Sequence, residues 1–248
     1  MKKSEEKIIL ITGASRGLGA ALAKSFAKRA QETKSRIHLI LVAKRMQGLE
    51  EIATELDDFG VGLTLVPIDL SKPDNLMTLP NAVQSKFGKL DVLIGNAGFL
   101  NALMPLTHYS PKLMEKTINV NMLANWHLLA GLESLMMASD HPRAIFVTSG
   151  AANMNMPFWG PYAASKAALD VMVKTYAEEK KQTNYRINLV DPGIMNTDMF
   201  KTVMPGADMS QIPKPVEKVN VFHYLSSPQC QETGQLFKAS EFNESHSK

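Results

Sequence analysis

Short, largely apolar runs recur along the chain at residues 8–11, 37–42, 63–68, 92–94, 145–147 and 187–190. Their hydrophobicity is continuous rather than alternating, the pattern of strands covered on both faces. Longer stretches with helical spacing of apolar residues lie between them, over residues 18–30, 48–59, 75–87, 120–138 and 161–179. A last strand is expected at residues 235–238. Strand and helix in alternation predict right-handed crossovers. The fold class expected is therefore α/β: a Rossmann-type, doubly wound, mostly seven-stranded parallel sheet flanked by helices on both faces. No linker rich in Pro, Gly or Ser divides the 248 residues. Residues 1–248 thus read as a single domain, with residues 241–248 as a flexible polar tail.

Composition mainly removes alternatives. The 27 Lys and Arg residues exceed the 24 Asp and Glu residues by only three, and they are scattered. That describes a solvated surface better than a nucleic-acid stripe. The apolar run at 8–11 is too short for a membrane span or a secretory core. Cys230 is the lone cysteine and cannot form an internal disulfide, which suits a reducing compartment. The expectation is a soluble, cytoplasmic protein with no metal site and neither nucleic acid nor membrane as partner.

Ligands of open α/β sheets sit at the carboxyl ends of the strands, so the residues that follow each strand carry the chemistry. The first strand runs into Thr12-Gly13-Ala14-Ser15-Arg16-Gly17-Leu18-Gly19. Its glycines permit a tight turn and a close approach of backbone to a phosphate at a helix N-terminus, where free N–H groups and the helix dipole favour an anion. Such a turn also serves plain strand-to-helix packing; its place between strand and helix favours a dinucleotide. After the second strand, small Ala43 stands where an acid would grip the ribose hydroxyls of NAD, and Lys44 and Arg45 follow. With Arg16 they can surround a ribose 2′-phosphate. NADP(H) is expected over NAD(H). Asp69 after the third strand is suited to an adenine amino group, and Asn96-Ala97-Gly98 after the fourth to a backbone passing close to the cofactor. Each is equally at home as a turn former.

Read in order, Thr12-Gly13, Gly17-Leu18-Gly19, Asp69-Leu70, Asn96-Ala97-Gly98, Asn121, Ser149, Tyr162-Ala163-Ala164-Ser165-Lys166 and Pro192-Gly193 with Thr197 make the chain resemble the short-chain dehydrogenase/reductase family in its single-domain branch. The resemblance implies a catalytic set of Asn121, Ser149, Tyr162 and Lys166. It implies cofactor contacts at Gly13, Ser15, Arg16, Gly17, Leu18, Gly19, Lys44, Arg45, Asp69, Leu70, Asn96, Ala97, Gly98, Tyr162, Lys166, Pro192, Gly193, Ile194 and Thr197. Tyr162 is implied to pass a proton to or from the substrate oxygen, which Ser149 holds. Lys166 is implied to favour the phenolate and hold the nicotinamide ribose, and Asn121 to anchor a water beside it. Chemistry makes this reasonable: a Tyr and a Lys four apart share a helix face, and an unperturbed phenol titrates near ~10. The bland alternative is a chance Tyr and Lys pair, with Ser149 and Asn121 capping local backbone.

Several positions depart from the family's common pattern: Gly95 and Thr148 replace an Asn and a Ser, and residues 30–36 are longer and more polar, as in sepiapterin-reductase-like members. Asp198 within Thr197-Asp198-Met199 resembles an acid that contacts a pterin, or it caps a helix. Residues 99–101, 154–159 and 195–204 supply Met and aromatic side chains either to an adaptable apolar pocket or to core and interface. The family also implies a homodimer or homotetramer built on residues 120–138 and 161–179, with Leu128, Leu132, Leu135, Leu169, Met172 and Val173 as candidates for the contact.

The reading is an NADP(H)-dependent carbonyl reductase or alcohol dehydrogenase acting on a small carbonyl or alcohol. Narrower versions are a 3-oxoacyl-thioester reductase, with Lys201 and Arg143 as docking cations, and a pteridine reductase. A non-catalytic NADP(H) sensor, or epimerisation or dehydration at the same site, are the other readings.

Overall fold

The computed structural model describes residues 6–242. Seven strands form one sheet: β1 (Lys7–Thr12), β2 (Ile37–Ala43), β3 (Gly62–Pro67), β4 (Val92–Gly95), β5 (Arg143–Val147), β6 (Arg186–Asp191) and β7 (Leu236–Lys238). Their order is β3-β2-β1-β4-β5-β6-β7, and every neighbouring pair is parallel. The chain reverses its direction of winding between β1 and β4, the switch point at which such sheets open a crevice.

The largely apolar runs follow from helices on both faces. Ile9, Ile11, Leu39, Leu41, Ile94 and Ile145 point to one side, against α1 (Gly17–Thr33), α2 (Met46–Leu56) and α8 (Asn220–Leu225). Ile8, Leu10, Ile40, Val42, Leu93 and Phe146 point to the other, against α3 (Leu79–Phe87), α5 (Ala124–Met137) and α6 (Gly160–Glu179). Successive strand residues thus alternate between two cores rather than between core and water.

The structure revises several helices. A 3-10 turn at Pro73–Leu76 separates from α3, and residues 57–59 leave α2 as another. Helix α4 (Pro111–Ile118), which periodicity did not reveal, starts at an Ser110 cap with Pro111 at the first position, and runs through a π turn, Asn119–Leu123, into α5. Helix α1 extends to Thr33 and ends at Lys34 in the left-handed region, φ 53°, so half of the long polar stretch after Ala30 is helix. Two short helices, α7 (Asp198–Val203) and α9 (Ala239–Phe242), complete the set. Of the tail expected over residues 241–248, Glu241 and Phe242 are helical, with Phe242 buried, and residues 243–248 lie outside the described residues.

Leu128, Leu132, Leu135, Leu169 and Val173 are core, not surface, because they face the sheet; Met172 packs against that core from its margin. The exposed large apolar side chains on these helices are Trp126, Met137 and Val171. No helix among the described residues is long and apolar enough to cross a membrane.

Candidate active site

The loops after β1 and β4 are braced together. The Thr12 hydroxyl accepts from Asn96 N and Ala97 N, both at 3.0 Å, and Asn96 Nδ2 donates to Thr12 O at 2.8 Å. Two glycines of the β1 loop are required by this packing: a Cβ on Gly13 would lie 3.0 Å from Ala97 Cα, and one on Gly19 would lie 2.2 Å from Gly13 O. Gly17 is different. Its φ of +57° favours glycine, but a Cβ there would make only ordinary contact with Thr197 Cγ2 at 3.5 Å. Gly95 is explained as well, since a side chain would press on Phe146 at 2.4 Å and Asn125 Oδ1 at 2.5 Å. Leu18 and Leu70 are buried in the cores, so only their backbone is available to a ligand.

Ser15 lies against Gly48, at the start of α2, which brings Lys44 and Arg45 beside the glycine loop. Both are exposed, and Lys44 Nζ pairs with Asp69 Oδ2 at 2.7 Å. Burial pushes the Asp69 carboxyl up, but bonds from Lys44 and from the Ser71 hydroxyl and N–H outweigh it and hold the group down at about 2. Two residues expected to meet different parts of a dinucleotide are thus joined to each other. Arg16 reaches across to Asp198 Oδ2 at 3.4 Å, with both side chains largely in water. Thr197, not Asp198, caps α7, accepting from Phe200 N at 3.3 Å. Gly193 has φ +69°, its N–H donates to Asp191 Oδ1 at 2.9 Å, and Pro192 is buried while Ile194 is exposed.

The carboxyl end of β5 leads to Ser149, whose Oγ accepts from Ala151 N at 3.3 Å. Opposite it, the first two turns of α6 carry Tyr162 and Lys166. Lys166 is 2% exposed, and its Nζ donates to Val147 O at 2.8 Å, 5.9 Å from the Tyr162 ring centre. Asn121 is fully buried in the π turn; its Oδ1 accepts from Phe99 N at 2.7 Å, and its Nδ2 donates to Phe99 O and Ser165 Oγ, both at 2.9 Å. Ser165 in turn donates to Tyr162 O at 2.7 Å. The π turn also lets Asn125 Nδ2 donate to Asn121 O at 2.8 Å. The Asn121 amide therefore fastens the β4 loop to α6. Gly98 sits at the centre: a Cβ there would lie 3.7 to 3.9 Å from Met199 Cε, Asn121 Oδ1 and Lys166 Nζ.

Burial dominates the electrostatics. It pushes the Tyr162 phenol up to about 12, with Asp191 adding to the rise and Ser149 opposing it. It brings the Lys166 ammonium down to about 8, against the pull of Asp170. Asp170, one turn beyond Lys166, is buried and raised by desolvation in the face of Thr148, Lys174 and Lys166. Its i+4 spacing from Lys166 was the signal that sequence reading passed over.

The family profile described as short chain dehydrogenase matches residues 7–208. The chain belongs to the short chain dehydrogenase family. YciK, an oxidoreductase of Escherichia coli K12, is 27% identical over 238 residues, spanning 94% of this chain and 92% of its own. The 3-oxoacyl-[acyl-carrier-protein] reductase FabG of the same organism is 30% identical over 201 residues, spanning 80% and 78%. A solved short chain dehydrogenase of E. coli CFT073, complexed with NADPH, superposes with TM-score 0.86 at 26% identity, covering 96% of this chain and 99% of that one.

Around the mouth of this short chain dehydrogenase site, Met154, Met156, Phe158, Ile194 and Met204 are exposed. Phe158 has φ 74°, a conformation unusual for a bulky residue, and its carbonyl accepts from Tyr109 Oη at 2.9 Å. Arg143 is not at this mouth. It is buried at the opposite edge of the sheet, which removes it as a docking cation.

Proposed function

We propose that the protein is an NADP(H)-dependent carbonyl reductase or alcohol dehydrogenase, one domain, with Tyr162 as the acid and base. The observation that carries this is the convergence of Tyr162, Ser149 and the buried Lys166 at the carboxyl ends of β4 to β6, facing Gly98 across the switch-point crevice. The residues present fit a nicotinamide cofactor: Lys166 spends one of its three protons on Val147, and Gly98 leaves the space before Lys166 free of a side chain. For the phosphorylated cofactor, Ala43 offers no acid, while Gly48, just after Lys44 and Arg45, lies against Ser15, the neighbour of Arg16.

A bound nicotinamide supplies the hydride chemistry. In reduction the neutral phenol of Tyr162 donates its proton to the carbonyl oxygen, which the Ser149 hydroxyl holds in reach. In oxidation Tyr162 must take that proton as phenolate, a form that the Lys166 ammonium favours. A phenol held near 12 is protonated at neutral pH, the form in which it donates to a carbonyl oxygen. The exposed Met and aromatic side chains at the mouth suit an apolar carbonyl. The exposed Trp126 and Val171 on α5 and α6 suit a homodimer or homotetramer.

A 3-oxoacyl thioester is the second reading, favoured by the FabG likeness, with Lys201 on α7 as its exposed docking cation. A pteridine is less well served, because Asp198 is turned to Arg16 in solvent. The test is titration with NADPH and NADH, followed by NADPH consumption against aromatic, quinone, pteridine and 3-oxoacyl carbonyls. The expected result is selective NADPH binding and turnover that depends on Tyr162. Binding without turnover would favour a sensor, and no binding would overturn the proposal.

A further inference from the structure

The opposite edge of the sheet holds a second polar cavity. It has a volume of about 130 Å³ and lies between the amino ends of β1 and β2, the carboxyl end of α1, and α8. Three basic side chains converge there: Lys7, Arg29 and His223. Ser35 and Thr33 add hydroxyls, Ile9, Phe26 and Ile37 form an apolar floor, and among the described residues no carboxylate lines the cavity. The part of the chain that was longer and more polar than the family pattern, residues 30–36, supplies one wall.

The bases are under-used. Lys7 Nζ donates to Ser226 O at 2.6 Å and makes no ion pair within 4 Å among the described residues. The Arg29 guanidinium makes no hydrogen bond or ion pair among the described residues, although it offers five donors. His223 shares Nε2 with Ser25 Oγ at 2.7 Å and packs edge-on to Phe26. The groups also oppose one another: after burial, Arg29 and Lys7 hold the His223 imidazole down at about 4, and burial with Arg143 and Arg29 holds Lys7 at about 8 against the attraction of Asp91. Two cations with spare donors, Lys7 and Arg29, set beside the neutral His223 imidazole, are relieved by an anion.

We propose that this cavity is a binding site for a small tetrahedral oxyanion, of the size of sulfate or phosphate, held by Lys7, Arg29 and His223. Its volume admits the oxyanion itself or the terminal phosphate of a metabolite whose remainder extends into solvent. The site stands at the pole opposite Tyr162 and is independent of the cofactor assignment. Arg29 and the glycine loop belong to the two ends of the same helix, α1, so an occupied cavity bears on the element that carries the cofactor loop.

Sulfate is the probe, because its charge is constant from pH 6 to 9. Thermal stability is measured against sulfate at constant ionic strength in chloride, for the wild type, Arg29→Gln, Arg29→Lys and Arg16→Gln. Arg29 is exposed, so its variants retain the fold. Expected is a saturable rise in Tm for the wild type, kept in Arg16→Gln and partly kept in Arg29→Lys. In Arg29→Gln the affinity falls about tenfold, the worth of one charge-assisted bond. Binding weakens as pH rises through 8, where Lys7 loses its proton. A linear, unsaturable rise shared by all variants is general salting and overturns the site. Loss in Arg16→Gln with retention in Arg29→Gln places the anion at the glycine loop and overturns it too. Free phosphate and a sugar phosphate, compared in the same format, distinguish the sources: equal affinity indicates the bare ion, and tighter binding of the ester a metabolite.

Discussion

Each end of the parallel sheet keeps a lysine partly stripped of water, and the two lysines serve different ends. Lys166, at the carboxyl edge, and Lys7, at the amino edge, are both brought down to about 8 by burial, and each spends one proton on a backbone carbonyl. Lys166 looks onto a phenol, a hydroxyl and an open crevice; Lys7 looks onto Asp91, other cations and a small cavity. A depressed lysine is therefore no sign of catalysis by itself. What separates the edges is the company: a phenol and a hydroxyl beside Lys166, cations and chain-fastening carbonyl contacts beside Lys7.

That contrast can be broken in both directions. Tyr162→Phe should lower turnover by at least about a thousandfold while NADPH affinity and thermal stability stay near wild type, as steady-state kinetics and a binding titration would reveal. Retained turnover would remove Tyr162 from proton transfer. Arg143→Gln should do the reverse. Its guanidinium donates to the carbonyls of Pro142, Asn184, Ser227, Pro228 and Cys230, and stranding these should lower stability by about 3 kcal/mol with kcat intact, measured by denaturant unfolding.

Acid should find the lower edge first. A histidine whose folded value lies below its unfolded one binds fewer protons folded than unfolded between about 4 and 6.5, so stability falls as pH drops through that window. The share owed to His223 is on the order of 3 kcal/mol, and His223→Gln should flatten the pH dependence of unfolding there. The upper edge is sharpened by Lys44→Gln with Arg45→Gln, which should weaken NADPH about tenfold more than NADH. Equal losses would sink the 2′-phosphate assignment. Smallest of all, Asp198→Asn should change stability by less than about 1 kcal/mol, because its pair with Arg16 stands in water.

The sequence displayed the strands well because burial on both faces leaves an unbroken apolar run, as in Leu39 to Val42. It displayed the site motifs because glycines and polar residues punctuate those runs. It hid α4, whose apolar residues Leu113, Met114 and Ile118 are few and only half buried, and it hid the π turn, which no local composition announces. The Lys44 to Asp69 and Arg16 to Asp198 pairs were equally invisible, since each joins residues on separate loops. The same holds for the lower cavity: residues 30–36 looked unusual, but only the fold sets them beside Lys7 and His223.

The brace between Thr12 and Asn96 has a consequence in time. Its two halves stand 84 residues apart, and synthesis proceeds at about 5–20 residues per second. Thr12 thus leaves the ribosome roughly 4–17 seconds before its partner, and the glycine loop waits on a later segment to be fixed.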